Sequence, residues 1–316
     1  MTQSAGIDVN HPGQVALGVV IVSYNSADVL PGLLDSLGGG LAGVANFRVI
    51  VVDNQSRDQS VSVAEAHPIG ATVVRASSNG GYSAGINRAA ELLPPDADML
   101  ILNPDIRLMS GSIAQLVLRA RDERVGIAVP MIRNDDGTLA PSLRHEPTLA
   151  ATWWHAALGP NLASRLGLGE IIADPSQYLF PSKIEWATGA ILLVAARARR
   201  KIGQWDESFF LYSEEVDYQR QVRDAGLEIA YVPGAKVFHA GGAYQQSVAL
   251  TSVMTSNKIR YFARYHGPLA TTLFRGALAA FGLLRAWRSS AHRSVLKVAL
   301  SPLRPPRYYM NMDQPS

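Results

Sequence analysis

The first hundred residues alternate between short continuous apolar runs and longer segments whose apolar positions recur every three or four residues. Runs rich in Val, Ile and Leu are typical of strands that are buried on both faces, and the periodic segments between them are typical of helices. Strands are expected at residues 16–22, 47–52, 72–75 and 98–102. Helices are expected at residues 26–37, 58–67 and 82–93. This alternation predicts an α/β protein with a mostly parallel sheet that helices cover.

The pattern loosens after Pro130, where the sequence predicts a hairpin turn at 134–137 and a mobile, partly helical connection over 146–176. Further along, a strand is expected at 185–195, a helix at 214–225, and two more strands at 227–232 and 235–239. We therefore divide the chain into a flexible N-terminus (1–15), one α/β domain (16–267) and a basic, helical C-terminal tail (268–316).

Charge is distributed unevenly along the 316 residues, although the net charge is only +3. Between Ile229 and Met312 there are eleven Lys and Arg residues and no Asp or Glu, so the rest of the chain is acidic. One side of a tail helix would carry Phe274, Ala277, Leu278, Phe281 and Leu284. The charge would come from Arg275, Arg285, Arg288, Arg293, Lys297, Arg304 and Arg307. Such a segment suits an anionic membrane or a nucleic acid; the alternative is an ordinary helix packed on the domain, with Arg stems covering apolar surface.

The chain contains no Cys, which excludes disulfides and thiolate metal sites. A metal ion would need carboxylate, amide or imidazole ligands, and these favour Mg²⁺ or Mn²⁺. The first residues lack the charged and apolar regions of a signal peptide. No apolar stretch reaches the roughly 18 residues of a membrane span. We therefore expect a cytoplasmic protein, located at the inner face of the cell membrane if its tail binds lipid.

Polar residues follow each of the first four predicted strands. They are Ser23 with Asn25, Asp53, Asn79, and Asn103 with Asp105. Ligands of parallel sheets bind outside the carboxyl ends of the strands. One such residue alone would favour a helix N-cap, but four strand ends on the same edge favour a binding site.

Asp105 is the candidate metal ligand at this edge. A hard divalent ion can neutralise a diphosphate when one or two protein oxygens and the phosphate oxygens hold it. His239 closes a later strand and could complete the coordination. The alternatives are plain turn chemistry around Asp105 and a structural role for His239.

Three carboxylates, Glu214, Glu215 and Asp217, crowd into four positions at the start of a predicted helix. The helix dipole partly offsets their charge there, so capping is one interpretation. Crowding also raises the pKa of at least one carboxyl group, which suits a general base that acts on a hydroxyl.

Ordered motifs along residues 19–267 give the sequence a family resemblance. They are VVIVSYN, VVDNQS, NGGYSAGIN, ILNPDI, EWATGAILLVAAR, WDESFFLYSEEVDYQRQVRDAG and YVPGAKVFHAGG. In this order they resemble glycosyltransferase family 2, and within it bacterial enzymes that transfer rhamnose from dTDP-L-rhamnose to polyprenyl-diphospho-N-acetylglucosamine. The resemblance implies the Rossmann-like GT-A fold. It also implies inverting, metal-dependent transfer of a single sugar from a nucleotide-sugar donor to a glycan or lipid-linked glycan in cell-envelope synthesis.

The resemblance assigns expected roles to individual residues. The donor would be bound by Ser23, Asn25, Asp53, Asn79, Asn87, Asn103, Trp186 and Gly189. Within this set, Asp53 would pair with the nucleotide base. The divalent ion would be held by Asp105 and His239. Glu215 would be the catalytic base, with Glu214 as its rival because the family usually has Asp at the position of Glu215.

Other functions stay open from the sequence alone. A family 2 enzyme could use a UDP- or GDP-sugar instead. A nucleotidyltransferase would need a Gly-rich, cationic loop after the first strand, and residues 23–28 contain neither Gly nor a cation. A nucleic-acid-binding protein could use the basic tail, but no binding motif or aromatic-rich groove accompanies it. We therefore expect no nucleic-acid partner.

Overall fold

The computed structural model of the chain describes residues 15–240 and 247–305. The described strands are β1 (Leu17–Ser23), β2 (Phe47–Asp53), β3 (Thr72–Arg75), β4 (Asp98–Leu102), β5 (Ile106–Leu108), β6 (Val125–Asn134), β7 (Leu143–Arg144), β8 (Ser182–Ile184), β9 (Trp186–Ala187), β10 (Ile191–Val194) and β11 (Glu228–His239). The described helices are α1 (Leu30–Gly40), α2 (Ser60–Ala66), α3 (Tyr82–Glu91), α4 (Ser112–Ala120), α5 (Leu149–Leu158), α6 (Pro160–Arg165), α7 (Ala196–Ile202), α8 (Glu214–Asp224), α9 (Val248–Tyr265), α10 (Pro268–Arg285) and α11 (Ser290–Leu300).

Parallel pairing places the carboxyl ends of the first four strands on one edge. β1 lies between β2 and β4 and pairs in parallel with both, and β3 flanks β2. The main sheet continues in the order β3-β2-β1-β4-β10-β6-β11-β5, with β8 against β11. β11 runs parallel to β6, whereas β10 and β5 run antiparallel to their neighbours. The expected mostly parallel sheet is confirmed.

Side chains of β1 alternate between two apolar layers, one on each face of the sheet. Val19 and Ile21 pack in the layer that includes the leucines of α1, whereas Val20 and Val22 pack in the layer that includes apolar residues of α3 and α8. These side chains are buried. The period of two along a strand that is covered on both faces explains the continuous apolar run in the sequence.

The prediction of a single strand over residues 185–195 is wrong, because the structure has two short strands there. Gln219 of α8 hydrogen-bonds both backbone polar groups of Ala187, at 2.8 and 2.7 Å. The short strand β9 therefore pairs with β7 in a separate two-stranded sheet, and the chain rejoins the main sheet only at Ile191. In contrast, the two strands expected within 227–239 are one strand, β11, with an irregular register between Val232 and Lys236.

The last three helices pack on one another and on α5. Phe274 of α10 stacks on Phe262 of α9, with ring centroids 4.1 Å apart. Arg285, near the end of α10, donates a hydrogen bond of 2.8 Å to the carbonyl oxygen of Ala156 in α5. One side of α10 is therefore attached to α9 and α5.

No helix within 15–240 or 247–305 is both long and apolar enough to cross a membrane.

Glu146 links the segment before α5 to two other helices. Its carboxylate accepts hydrogen bonds from Arg220 (2.9 Å) and Arg223 of α8, and from the hydroxyl of Tyr261 in α9. The Glu146 side chain is only 16% exposed, so water weakens these interactions little. This single carboxylate thus fixes α5 relative to α8 and α9.

Replacing Glu146 with Gln should lower the free energy of unfolding by about 2 kcal/mol, because Arg223 loses its charged partner and Arg220 keeps only Asp224. The matched control is Glu65→Gln, which breaks an exposed 2.7 Å ion pair with Arg75 and should cost less than about 0.5 kcal/mol. Urea unfolding followed by circular dichroism measures both variants. Equal losses would contradict the role given to Glu146.

Candidate active site

The ends of β1 and β2 present buried polar atoms at the carboxyl edge of the sheet. Ser23 and Asp53 are paired in register, so their side chains begin at the same level. Asp53 is 4% exposed, and its Oδ2 accepts a 3.0 Å hydrogen bond from the backbone of Ser56. The Ser23 hydroxyl and Asp53 Oδ1 are buried and have no hydrogen-bond partner in the described chain. These two atoms are therefore available to a ligand.

Asn25 and Asn79 shape the loops at this edge. Asn25 has a positive φ of 49°, and its Oδ1 accepts a 2.8 Å hydrogen bond from the backbone of Arg57. Asn79 accepts a 3.0 Å hydrogen bond from the backbone of Gly81. Gly81 has a φ of 90°, and a Cβ there would overlap the carbonyl oxygen of Phe210. Only glycine permits this close approach of the loop to the segment before α8.

Asn87 is used within the protein. It is buried in α3, and its Oδ1 accepts a 2.9 Å hydrogen bond from the backbone of Trp205. Its Nδ2 donates to the Trp205 carbonyl oxygen (2.9 Å) and to Glu207 (3.0 Å). Both amide protons are therefore hydrogen-bonded within the protein. Asn87 fastens the segment around Trp205 to α3, and its place beside the donor stays a prediction.

Asp105 and His239 come together as expected from the sequence. Asp105 follows β4, and the register of β11 with β5 places His239 opposite Ile106. His239 Nε2 lies 3.1 Å from Asp105 Oδ2, but it makes no hydrogen bond there, and Asp105 Oδ1 also has no partner. Buried, unpartnered oxygen and imidazole nitrogen atoms on adjacent strand ends suit a divalent ion. Within the described ranges, no third His, Asp or Glu joins them to complete a metal cluster.

Asn103 and Gly189 meet around a tyrosine that the sequence analysis did not select. The Tyr82 hydroxyl donates a 2.8 Å hydrogen bond to Asn103 Oδ1 and lies 3.4 Å from the carbonyl oxygen of Gly189. Tyr82 could have been selected from the sequence by its position directly after Gly80 and Gly81. The first residue of a helix at this edge of the sheet faces the region where ligands bind.

The three clustered carboxylates have different surroundings. Asp217 is ion-paired with Arg264 at 2.9 Å and accepts a 2.9 Å hydrogen bond from the Tyr265 hydroxyl. Glu214 and Glu215 have no ion pair in the described chain, and each has an Oε2 that is buried and unpartnered. Asp217 is therefore structural, whereas the other two are available for chemistry.

Burial raises the pKa of both Glu214 and Glu215. The charge of Glu215 raises the pKa of Glu214 further, and the charge of Glu170 adds to the effect of burial on the pKa of Glu215 while Arg144 opposes it. Glu214 is only 5% exposed, whereas Glu215 is partly exposed. A Cβ at Gly189 would lie 3.2 Å from Glu215 Cβ, so this glycine brings the backbone close to Glu215.

A strained turn directly before α8 aims these carboxylates. Phe210, Tyr212 and Ser213 have positive φ values of 60°, 68° and 72°, which side chains other than glycine rarely adopt. The buried amide of Asn257 in α9 donates hydrogen bonds to the carbonyl oxygens at 209, 211 and 212. Nothing in the local sequence indicates this long-range contact.

Trp186 belongs to a buried apolar cluster next to the start of α8. It is 6% exposed, its Nε1 donates a 2.8 Å hydrogen bond to the carbonyl oxygen of His145, and it packs with Phe209, Val216 and Tyr261. Its ring therefore supports β7, β9 and the start of α8.

Similarity to known proteins shows the family of the chain. The sequence matches Glycosyl transferase family 2 over residues 18–184. It is 32% identical over 298 residues to the N-acetylglucosaminyl-diphospho-decaprenol L-rhamnosyltransferase of Mycobacterium tuberculosis, across 88% of this chain and 95% of that protein.

Two solved structures show the same fold. GalNAc-T7 with UDP, GalNAc and Mn²⁺ gives a TM-score of 0.62 at 12% identity, over 95% of this chain and 56% of that one. The mannosyltransferase PcManGT from Pyrobaculum calidifontis with GDP-Man and Mn²⁺ gives 0.54 at 16% identity, over 96% and 81%. The sheet with its flanking helices is thus the GT-A fold, and the chain is a glycosyltransferase that belongs to glycosyl transferase family 2.

Proposed function

We propose that this glycosyltransferase transfers a single L-rhamnose from dTDP-L-rhamnose to a hydroxyl of polyprenyl-diphospho-N-acetylglucosamine, at the cytoplasmic face of the membrane. The observation that carries the proposal is the 32% identity to a rhamnosyltransferase across nearly the full length of both chains. A donor screen that follows release of nucleotide diphosphate tests it. Transfer from a UDP- or GDP-sugar but not from dTDP-L-rhamnose would overturn the donor assignment.

In the proposed mechanism, the donor lies along the carboxyl edge of the sheet, with its base near Ser23 and Asp53. Asp105 and His239 would hold a divalent ion, which supplies positive charge against the departing diphosphate. Glu215 accepts the proton of the acceptor hydroxyl while that oxygen forms a bond to the anomeric carbon. The bond from this carbon to the diphosphate breaks on the opposite face, so the configuration inverts.

Replacing Asp105 with Ala should abolish transfer and also remove metal binding. Wild-type protein should lose activity in EDTA, regain it with Mn²⁺ or Mg²⁺, and show a higher thermal midpoint when Mn²⁺ binds. The variant should show no such shift. Asp35→Ala removes an exposed aspartate of α1 and should behave like wild type. A Mn²⁺-dependent shift that persists in Asp105→Ala would refute the metal site.

Replacing Glu215 with Gln should lower turnover by roughly 10²- to 10⁴-fold, because the proton acceptor is lost while shape is kept. Donor affinity, measured by calorimetry, should not change. Glu214→Gln is the matched control, since it alters the neighbouring buried carboxylate. If Glu214→Gln gives the large loss and Glu215→Gln does not, the base is Glu214.

The raised pKa of Glu215 has two consequences for pH dependence. The acid limb of the turnover profile should lie above the ordinary glutamate value of 4.5, because the base must be deprotonated. A folded-state pKa above the unfolded value favours folding below pH 4.5, and this contribution is lost as pH rises through the folded pKa. Glu215→Gln should therefore be more stable than wild type at neutral pH, with the difference vanishing below pH 4.5. Denaturant unfolding across pH measures this.

The C-terminal helices support membrane contact through a different face from the one expected. Phe274 and Ala277 are buried against the fold, and Arg275 donates to the carbonyl oxygens of Ala299 and Ser301. The exposed side of α10 and the turn after it carry an apolar stripe that shares only Leu284 with the expected face. It consists of Leu269, Leu273, Leu283 and Leu284 of α10 and Trp287 of the turn, all at least 44% exposed.

This stripe continues onto α5 and is accompanied by positive charge. Trp153 of α5 is 43% exposed and lies beside Gly276. Gly276 is on the same side of α10 as the leucines of the stripe. Arg288, Arg293 and Lys297 are exposed nearby in the chain. Exposed Trp and Leu with Arg and Lys suit the interface of an anionic bilayer. Arg307 lies outside the described residues.

Triple replacement of Leu269, Leu273 and Trp287 by Glu should abolish sedimentation with anionic liposomes at low salt. The control is Leu118→Glu, which adds charge at an exposed leucine of α4 and should leave sedimentation unchanged. Point variants are preferable to removal of α10, because its loss would uncover Phe262. Unchanged lipid binding by the triple variant would exclude the stripe as the contact.

A further inference from the structure

Arg144 is half-buried, and its guanidinium group forms no ion pair in the described chain. Its Nη1 donates to the carbonyl oxygens of Pro141 (2.6 Å) and Leu143 (3.1 Å), but no described carboxylate lies within ion-pair distance. Arg107, Arg197 and Arg199 also donate to backbone carbonyl oxygens without an ion pair in the described chain. Arg144 differs from these three because its charge interacts with that of Glu215. Burial lowers the pKa of Arg144, because a cation is held away from water, and the charges of Glu170 and Glu215 partly oppose this effect. This arrangement suits an anion that arrives with a substrate.

Arg144 lies on β7, which is linked through β9 to α8, the helix that carries the proposed base. The register of β7 with β9 sets it opposite Trp186, and its guanidinium lies 6.0 Å from the centre of that ring. β9 is in turn attached to α8 by Gln219, one turn after Glu215. The charges of Arg144 and Glu215 also interact, so a group that reaches Glu215 can extend towards Arg144.

Arg144 also precedes the part of the chain that faces the proposed bilayer. α5 begins shortly after it and exposes Trp153 and Trp154. Arg144 thus ends the strand β7, which pairs with β9 beside α8, and it lies only a few residues before the helix that carries these two rings. The reaction brings together two diphosphates, one on the donor and one on the acceptor. Through the divalent ion, Asp105 and His239 would bind only the diphosphate of the donor.

We propose that Arg144 binds the diphosphate that joins the acceptor sugar to its lipid. The inference rests on the proposed function, because only a lipid-linked acceptor carries this group. With the sugar hydroxyl at Glu215 and the lipid in the bilayer, the diphosphate must lie between them. A guanidinium group binds phosphate oxygens through two parallel hydrogen bonds, which Lys cannot reproduce.

The test compares two acceptors in detergent solution: farnesyl-diphospho-N-acetylglucosamine and a neutral alkyl N-acetylglucosaminide. Wild-type protein should prefer the diphosphate acceptor. Arg144→Gln should raise KM for that acceptor by roughly 10- to 100-fold, while KM for the donor and for the neutral acceptor stays unchanged. The KM of Arg144→Lys for the diphosphate acceptor should fall between those of wild type and Arg144→Gln. The control is Lys183→Gln, which removes an exposed cation of β8 and should have no effect.

The outcomes separate the possible roles. A higher KM for the donor would assign Arg144 to the donor diphosphate and overturn the inference. An equal loss of kcat with both acceptors would mean that Arg144 acts through Glu215 or through folding, which the thermal midpoint of each variant checks. A wild-type enzyme without preference for the diphosphate acceptor would overturn both the inference and the lipid-linked acceptor. A preference that persists in Arg144→Gln would overturn the inference alone.

Discussion

Parallel hydrogen bonding of β1 with both β2 and β4 is the constraint on which the site depends. It forces the strands to end on the same edge, so that the register of Ser23 with Asp53 is set by the backbone. Asp105 follows β4 at this edge, and β11 delivers His239 from the far side of the sheet. The polar side chains therefore gather because apolar strands align, and not because they attract one another. Several of them are left without partners as a result.

The sequence was most informative where chemistry follows directly from periodicity. Continuous apolar runs predicted the first four strands, and the polar residues after them predicted the edge that carries Asp53 and Asp105. The approach of His239 to Asp105 was one of two open alternatives from the residues themselves, since more than a hundred residues separate them, and the family resemblance favoured it. No sequence period reports which distant strand ends meet.

Other features depend on contacts between distant side chains and backbone. The hydrogen bonds of Asn87 to the backbone of Trp205 could not be predicted, because the two residues are far apart in the sequence. The break between β9 and β10 arises because Gln219 captures Ala187, and local propensity favours one strand there. In the tail, helical periodicity identified an apolar face. It could not distinguish the side that packs on α9 from the side that meets solvent, because α10 is apolar on both.

The clamp of Asn257 on the turn before α8 has a consequence for how this protein can be divided. The region that matches the family ends at residue 184, yet the backbone that presents Glu214 and Glu215 is held by an amide from α9. The strand-end residues proposed to bind the donor and the proposed base thus belong to different stretches of chain. A chimera that exchanges only the first half between relatives would inherit those strand ends while keeping the host's geometry around Glu214 and Glu215. The natural unit of exchange extends through α9.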